Sequence, residues 1–216
     1  MDPYYSRHEV SNSDLVELQK LFMPVSWSID TEQAFKMGTG LDCMITEPEK
    51  VNLYKRTIEE YTYKPEEIEL LKRMKTAFYK DDTCKQFMAL SSFQTIFSGK
   101  VPFTYGHLDF DLDMRCKYDF WMPGLKYGGD IKSTFATSQK QFEEACYYFN
   151  YDQSRVLYML LSGAKKDLII GVSKENCKVF KLPITPDSKF YQSGLAKLED
   201  AAFRYWSLFE NFKISA

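Results

Sequence analysis

The stretch from Cys116 to Thr134, C-K-Y-D-F-W-M-P-G-L-K-Y-G-G-D-I-K-S-T, constrains the fold more than any other. An aromatic-rich run over 117–122, turn residues over 123–129 and a second run over 130–134 predict a β-hairpin. Asp119 and Asp130 lie symmetrically about its centre. If the strands pair about that centre, the two Cβ atoms stand roughly 5 Å apart, and like charges so placed are unfavourable unless a cation lies between them. Lys132 follows Asp130 by two residues, so the strand period puts both on one face and turns Ile131 into the core. Two carboxylates and an ammonium on one side of a sheet are the parts of a divalent-metal hydrolytic site.

At 216 residues and 44% hydrophobic, the chain is expected to form one domain over 1–216 with a sizeable core. Residues 1–90 read as mainly helical and 91–216 as a sheet-containing core. The net charge of −2 argues against non-specific coating of nucleic acid, while leaving room for a local basic groove. The five cysteines, Cys43, Cys84, Cys116, Cys146 and Cys177, form no CxxC pair. A zinc ribbon or a four-cysteine iron–sulfur cluster is disfavoured, and free thiols in a reducing cytosol are expected. No signal-peptide pattern and no apolar run of about 18 residues occur, so a soluble cytoplasmic protein without membrane contact is expected.

Ahead of the hairpin, Ser11 or Ser13 caps a helix with an apolar stripe of Leu15, Leu18, Leu21 and Phe22, and Pro24 lies past its end. A second helix starts at Asp30 or Thr31 and stops before Pro48. Gly38 and Gly40 interrupt it, each costing about 1 kcal/mol, which implies a packing reason. Lys64-Pro65-Glu66-Glu67 opens a third helix, and Asp82 or Thr83 caps a shorter fourth. Strands follow over 92–97, 101–105, 108–112 and 114–122. The alternating Asp109, Asp111 and Asp113 read as a solvated face or as extra metal ligands. Beyond the hairpin come a helix pair with a kink at Asn150, a buried strand over 167–173, an alternating strand over 177–184 and a long helix to Phe212. This order predicts an α/β (α+β) protein with a central mixed sheet flanked by helices. His8 and His107 fit no ligand pattern.

The spacing D-x(10)-D-x-K resembles the PD-(D/E)xK nuclease superfamily, and flanking segments resemble its RecE-like branch, the exodeoxyribonuclease VIII-type exonucleases of phages and prophages. Val10–Leu15 and Phe35–Glu49 resemble that branch's opening and its G-T-x-x-H-x-x-x-x-E-P helix. Cys116–Asp119 resembles the basic-x-D strand, and Gly129-Asp130-Ile131-Lys132-Ser133-Thr134 the D-[LIF]-K-[ST]-T strand. Tyr151–Met159 resembles the helix that follows, and 169–181 the closing strand pair.

The resemblance implies a restriction-endonuclease-like core and a metal-dependent DNA nuclease. Asp119 and Asp130, with the Ile131 carbonyl, would hold Mg²⁺ or Mn²⁺, and Lys132 would position water and stabilise phosphate charge. It implies DNA as partner and admits a phage single-strand annealing protein and a homo-oligomer. Two positions depart from the pattern. Asp42 stands where the branch has a metal-binding histidine, and reads as a replacement ligand or as a solvent-facing acid. The pattern Y-D-x-Q-x-x-x-Y meets Ser154 at its glutamine, with Gln153 one residue early and Tyr158 in place. Ser154 and Tyr158 share a helix face, and Arg155 reads as a phosphate contact or an exposed helix arginine. A catalytically impaired nuclease fold serving as a DNA-binding or assembly factor is the competing expectation.

Overall fold

The computed structural model describes residues 3–22 and 31–210. Pro24, Asp30 and Phe212 lie outside the described residues. The elements run α1 (Asn12–Phe22), α2 (Thr31–Thr46), three two-residue strands β1 (Val51–Asn52), β2 (Thr57–Ile58) and β3 (Tyr61–Thr62), then α3 (Pro65–Lys80) and α4 (Asp82–Leu90). After these come β4 (Ser92–Tyr105), β5 (Leu108–Met122), β6 (Tyr127–Thr134), α5 (Gln139–Tyr148), α6 (Tyr151–Ser162), β7 (Lys166–Ser173), β8 (Val179–Ile184) and α7 (Lys189–Tyr205). The main sheet has the order β4-β5-β6-β7-β8. β6 and β7 pair in parallel and the other neighbours antiparallel, so the expected mixed α/β sheet flanked by helices is what forms.

Local chemistry sets the helix ends. Ser11 caps α1: its hydroxyl accepts from the Asp14 backbone N–H at 3.3 Å, and Asp14 returns the bond to the Ser11 N–H at 2.8 Å. Asp81, rather than Asp82 or Thr83, caps α4 by accepting from the Cys84 N–H at 3.0 Å. Asn150 adopts a left-handed backbone between α5 and α6, which is the expected kink, and Gly163 closes α6 in the same conformation.

The sheet carries a core on each face. On one, Leu15 of α1, Val156 and Leu157 of α6 and Leu198 of α7 pack on Leu112, Met114, Cys116 and Tyr118. On the other, Leu41 of α2, Leu71, Met74 and Phe78 of α3 and Met88 of α4 pack on Phe120, Met122, Ile131 and Ile170. Leu21 and Phe22 are exposed, so only the first half of the α1 stripe is core. The glycine interruption in α2 has its packing reason: a Cβ on Gly40 would stand 2.7 Å from Leu71 Cδ1 and 3.0 Å from the Tyr63 ring.

Two strand expectations change. The four short runs from 92 to 122 are two long strands, because β4 and β5 pair continuously from Tyr105↔Leu108 back to Thr95↔Tyr118 and carry Gly99 and Asp113 through. Gly128 and Gly129 are strand residues of β6 rather than turn residues, since the Tyr118 and Phe120 rings lie across their bare backbone. Asp109, Asp111 and Asp113 are exposed, which fits a solvated face. All five cysteines are free, and burial pushes the thiols of Cys43, Cys84, Cys116 and Cys146 up to about 12, which leaves them unreactive.

Candidate active site

The hairpin opens at its two acids. The β5–β6 ladder runs Met122↔Tyr127, Trp121↔Gly128 and Phe120↔Gly129, and the next pair in that register would be Asp119 and Asp130. The ladder ends there instead. β6 turns to β7, which it pairs along its whole length. The Asp119 carboxylate fills the gap, with Oδ2 accepting from the Ile131 N–H at 2.7 Å.

β5 is wrung at the same point. Strand alternation would keep Tyr118 and Phe120 on one side, yet Tyr118 packs with α6 and Phe120 with the opposite core. Across the β4–β5 pair, Gln94 and Asp119 are the position missing from the ladder. Gln94 has a φ of 49°, in the left-handed region that a glutamine rarely adopts.

Gln94 uses this backbone to reach α2. Its Nε2 donates to Asp42 Oδ2 at 3.2 Å and to Thr46 Oγ1 at 3.0 Å, while the Thr46 hydroxyl donates to Asp42 Oδ1 at 2.9 Å. Asp42 is therefore turned into the molecule and tied down, and the solvent-facing alternative falls. Burial raises the Asp42 carboxyl pKa, with Asp130 adding to the rise and Thr46 and Lys132 opposing it. Burial also holds the Asp119 carboxyl well above the usual range, and Asp42 and Asp130 push it further. The three acids thus share one electrostatic environment.

Asp130 is gripped on both oxygens. Lys132 Nζ stands 2.5 Å from Oδ2, on the same face as the strand period requires, but not aligned as a hydrogen bond. Arg155 Nη1 donates to Oδ1 at 3.3 Å. Burial works against the Lys132 ammonium, but Asp130 and Asp119 together hold its pKa above the ordinary lysine value. The Tyr151 ring lies 5.3 Å from Lys132 Nζ. Ile131 points into the core as expected.

Arg155 corrects its sequence reading. It is 1% exposed, so it is neither an exposed helix residue nor placed on the surface to meet a phosphate. Its guanidinium forks onto Asp167 at 2.8–3.2 Å and lies against the Tyr118 and Tyr158 rings, 4.8 Å and 4.2 Å from their centroids, the two rings themselves meeting edge to face. Burial disfavours its charge, but Asp167 first and Asp130 second hold it protonated.

The other α6 residues expected at the site, Gln153, Ser154 and Tyr158, do not converge on the acids. Gln153 is buried against α1, donating to Asn12 Oδ1 at 3.0 Å and accepting from Gln19 Nε2 at 3.2 Å. The Ser154 hydroxyl donates to its own helix at Tyr151 O. Tyr158 packs its ring against the Arg155 guanidinium. Gln94, Thr46, Tyr151 and Asp167 are site residues that sequence reasoning missed. Only Asp167 left a signal: an aspartate opening the apolar run Leu168-Ile169-Ile170 needs a buried partner.

The chemistry of Asp42, Asp119 and Asp130 is that of a hard-cation site, but their placement is not. Among the described residues no group of three or more His, Cys, Asp or Glu side chains is positioned to hold a metal ion. Asp130, the acid such an ion would need, is already compensated by Lys132 and Arg155. As placed, these residues do not fit a bound divalent ion. Among the described residues no helix is long and apolar enough to cross a membrane.

A mixed sheet between helical layers, with an aspartate on one strand and D-x-K on the next, defines a PD-(D/E)xK-like protein. The chain belongs to the family described as the PDDEXK-like domain of unknown function (DUF3799), which it matches over residues 17–213. Among solved structures it is similar to a phage-related exonuclease from Haemophilus somnus 129PT, at 13% identity and a TM-score of 0.41, covering 92% of this chain and 93% of that one. It is also similar to SSO0001, at 12% identity and a TM-score of 0.38, covering 91% and 85% of the respective chains. No curated protein matches the chain.

Proposed function

We propose that this chain is a catalytically impaired member of the nuclease fold that acts as a DNA-binding or assembly factor. The observation that carries this reading is the double grip on Asp130, by Lys132 on Oδ2 and buried Arg155 on Oδ1, with no three-ligand group among the described residues. The departures at Asp42 and Ser154 point the same way: Asp42 is bound to Thr46 and Gln94, and Ser154 to its own helix.

A second reading is a Mg²⁺- or Mn²⁺-dependent RecE-like exonuclease, serving phage-type recombination with an annealing partner or as a homo-oligomer. It is favoured by charge: Asp42, Asp119, Asp130 and Asp167 are four carboxylates against the two cations Lys132 and Arg155. One experiment separates the readings. The protein is incubated with end-labelled linear and circular duplex DNA in EDTA, Mg²⁺ or Mn²⁺, and both gel shift and cleavage are scored. Shift without cleavage in any ion is the expected result. Metal-dependent cleavage that Lys132→Ala and Asp130→Asn each abolish would establish the second reading instead.

A further inference from the structure

We propose that Arg155 is a built-in counter-ion that keeps a divalent cation off the Asp119–Asp130 pair. The inference rests on the nuclease-type reading of the acid pair and explains why the pair does not fit a metal as placed.

The two cations on Asp130 differ in their freedom. Lys132 is about a third exposed on a flexible four-carbon stem and can swing clear of Oδ2. Arg155 cannot leave. Its side chain is 1% exposed, its fork is spent on Asp167 through Nε and Nη2, and the Tyr118 and Tyr158 rings pack against its guanidinium. Only Nη1 is left to reach Asp130. A fixed positive charge 3.3 Å from Oδ1, in a buried site with weak screening, opposes any second cation on the same carboxylate. Asp167, fully buried on β7, takes the other side of the fork, while burial and Asp130 itself keep the guanidinium where it is.

Mn²⁺ binding to the full chain, measured by isothermal titration calorimetry, tests this without reference to cleavage. Arg155→Met/Asp167→Asn removes the buried pair as a unit, which avoids stranding either charge. It should bind Mn²⁺ about tenfold or more tightly than wild type. Asp167→Asn alone disturbs the same packing but leaves the guanidinium with Asp130 as its remaining carboxylate partner, and should bind no more tightly than wild type. A merely structural role for Arg155 would move both variants alike. Should the double variant fail to fold, Arg155→Lys serves: a compact ammonium lacks the second arm that reaches Asp130, so affinity should rise severalfold. Equal Mn²⁺ affinity in wild type and in the folded charge-removed or lysine variant overturns the proposal, as does a gain in Asp167→Asn equal to theirs. Adding Asp119→Asn should then abolish the gain. If the gain survives Asp119→Asn, the ion sits elsewhere and the reading of the acid pair falls with it.

Discussion

Replacing Gln94 by glycine and by alanine should give stabilities in the reverse of the usual strand order. Inside a strand, glycine is less stable than alanine by about 0.5–1 kcal/mol, because its unfolded backbone has more freedom to lose. At Gln94 the φ of 49° adds a second contribution. A left-handed backbone costs a residue with a Cβ about 1–2 kcal/mol, and glycine is spared it. The difference leaves Gln94→Gly more stable than Gln94→Ala by about 0.75 kcal/mol, the middle of a span of about 0–1.5 kcal/mol. Both variants lose the amide's bonds to Asp42 and Thr46, worth about 1 kcal/mol each, so that loss cancels between them. Urea unfolding at constant m-value reads the difference, and thermal melts should separate by about 1–4 °C for a chain of this length. Thr95, the next residue along β4 and normally paired to Tyr118, is the control, and there alanine should win. Gln94→Gly melting below Gln94→Ala would refute the wrung-strand account of the site.

Asp119→Asn should stabilise the metal-free protein at neutral pH by about 1 kcal/mol, a gain typical of relieving a strained functional site. The folded state raises the Asp119 pKa, so it holds that proton more tightly than the unfolded chain does. The wild type therefore loses stability as pH rises from about 4 through the raised folded value, and chemical denaturation across pH should show a shallower loss in the variant. Gly129→Ala should cost about 3 kcal/mol, since its Cβ would lie 2.0 Å from Phe120 Cζ and 2.6 Å from the Leu168 carbonyl oxygen, as urea unfolding would show. Asp81→Ala should cost about 1–2 kcal/mol through the lost α4 cap, with little from its part-exposed pair with Lys181, and should lower the melting temperature accordingly.

Much of this fold was legible because period and capping are local. The Lys64-Pro65-Glu66-Glu67 start gave α3 to within a residue, and the D-x-K spacing put Lys132 beside Asp130. What escaped depends on distant partners. Nothing in the residue type of Gln94 announces a left-handed backbone, since only the Asp42–Thr46 pair on another helix makes that conformation worth adopting. Arg155 looked like surface because helix arginines usually are, and its burial follows from Asp167, twelve residues away on β7. The hairpin was read as symmetric because sequence shows where two acids are equidistant from a turn, not where the strands part.

The bond from the Ile131 N–H to the Asp119 carboxylate bears on how the site could change. In an uninterrupted hairpin, the spacing between strands is fixed by the peptide group and is the same in every protein. Here one rung is a side chain, with torsions of its own, so the aperture between β5 and β6 can vary in width. Exchanging that one carboxylate for a shorter, longer or neutral group would reset the aperture while β4, β7 and both cores stay as they are. The sheet thus has a side-chain rung beside Asp42, Asp130 and Lys132.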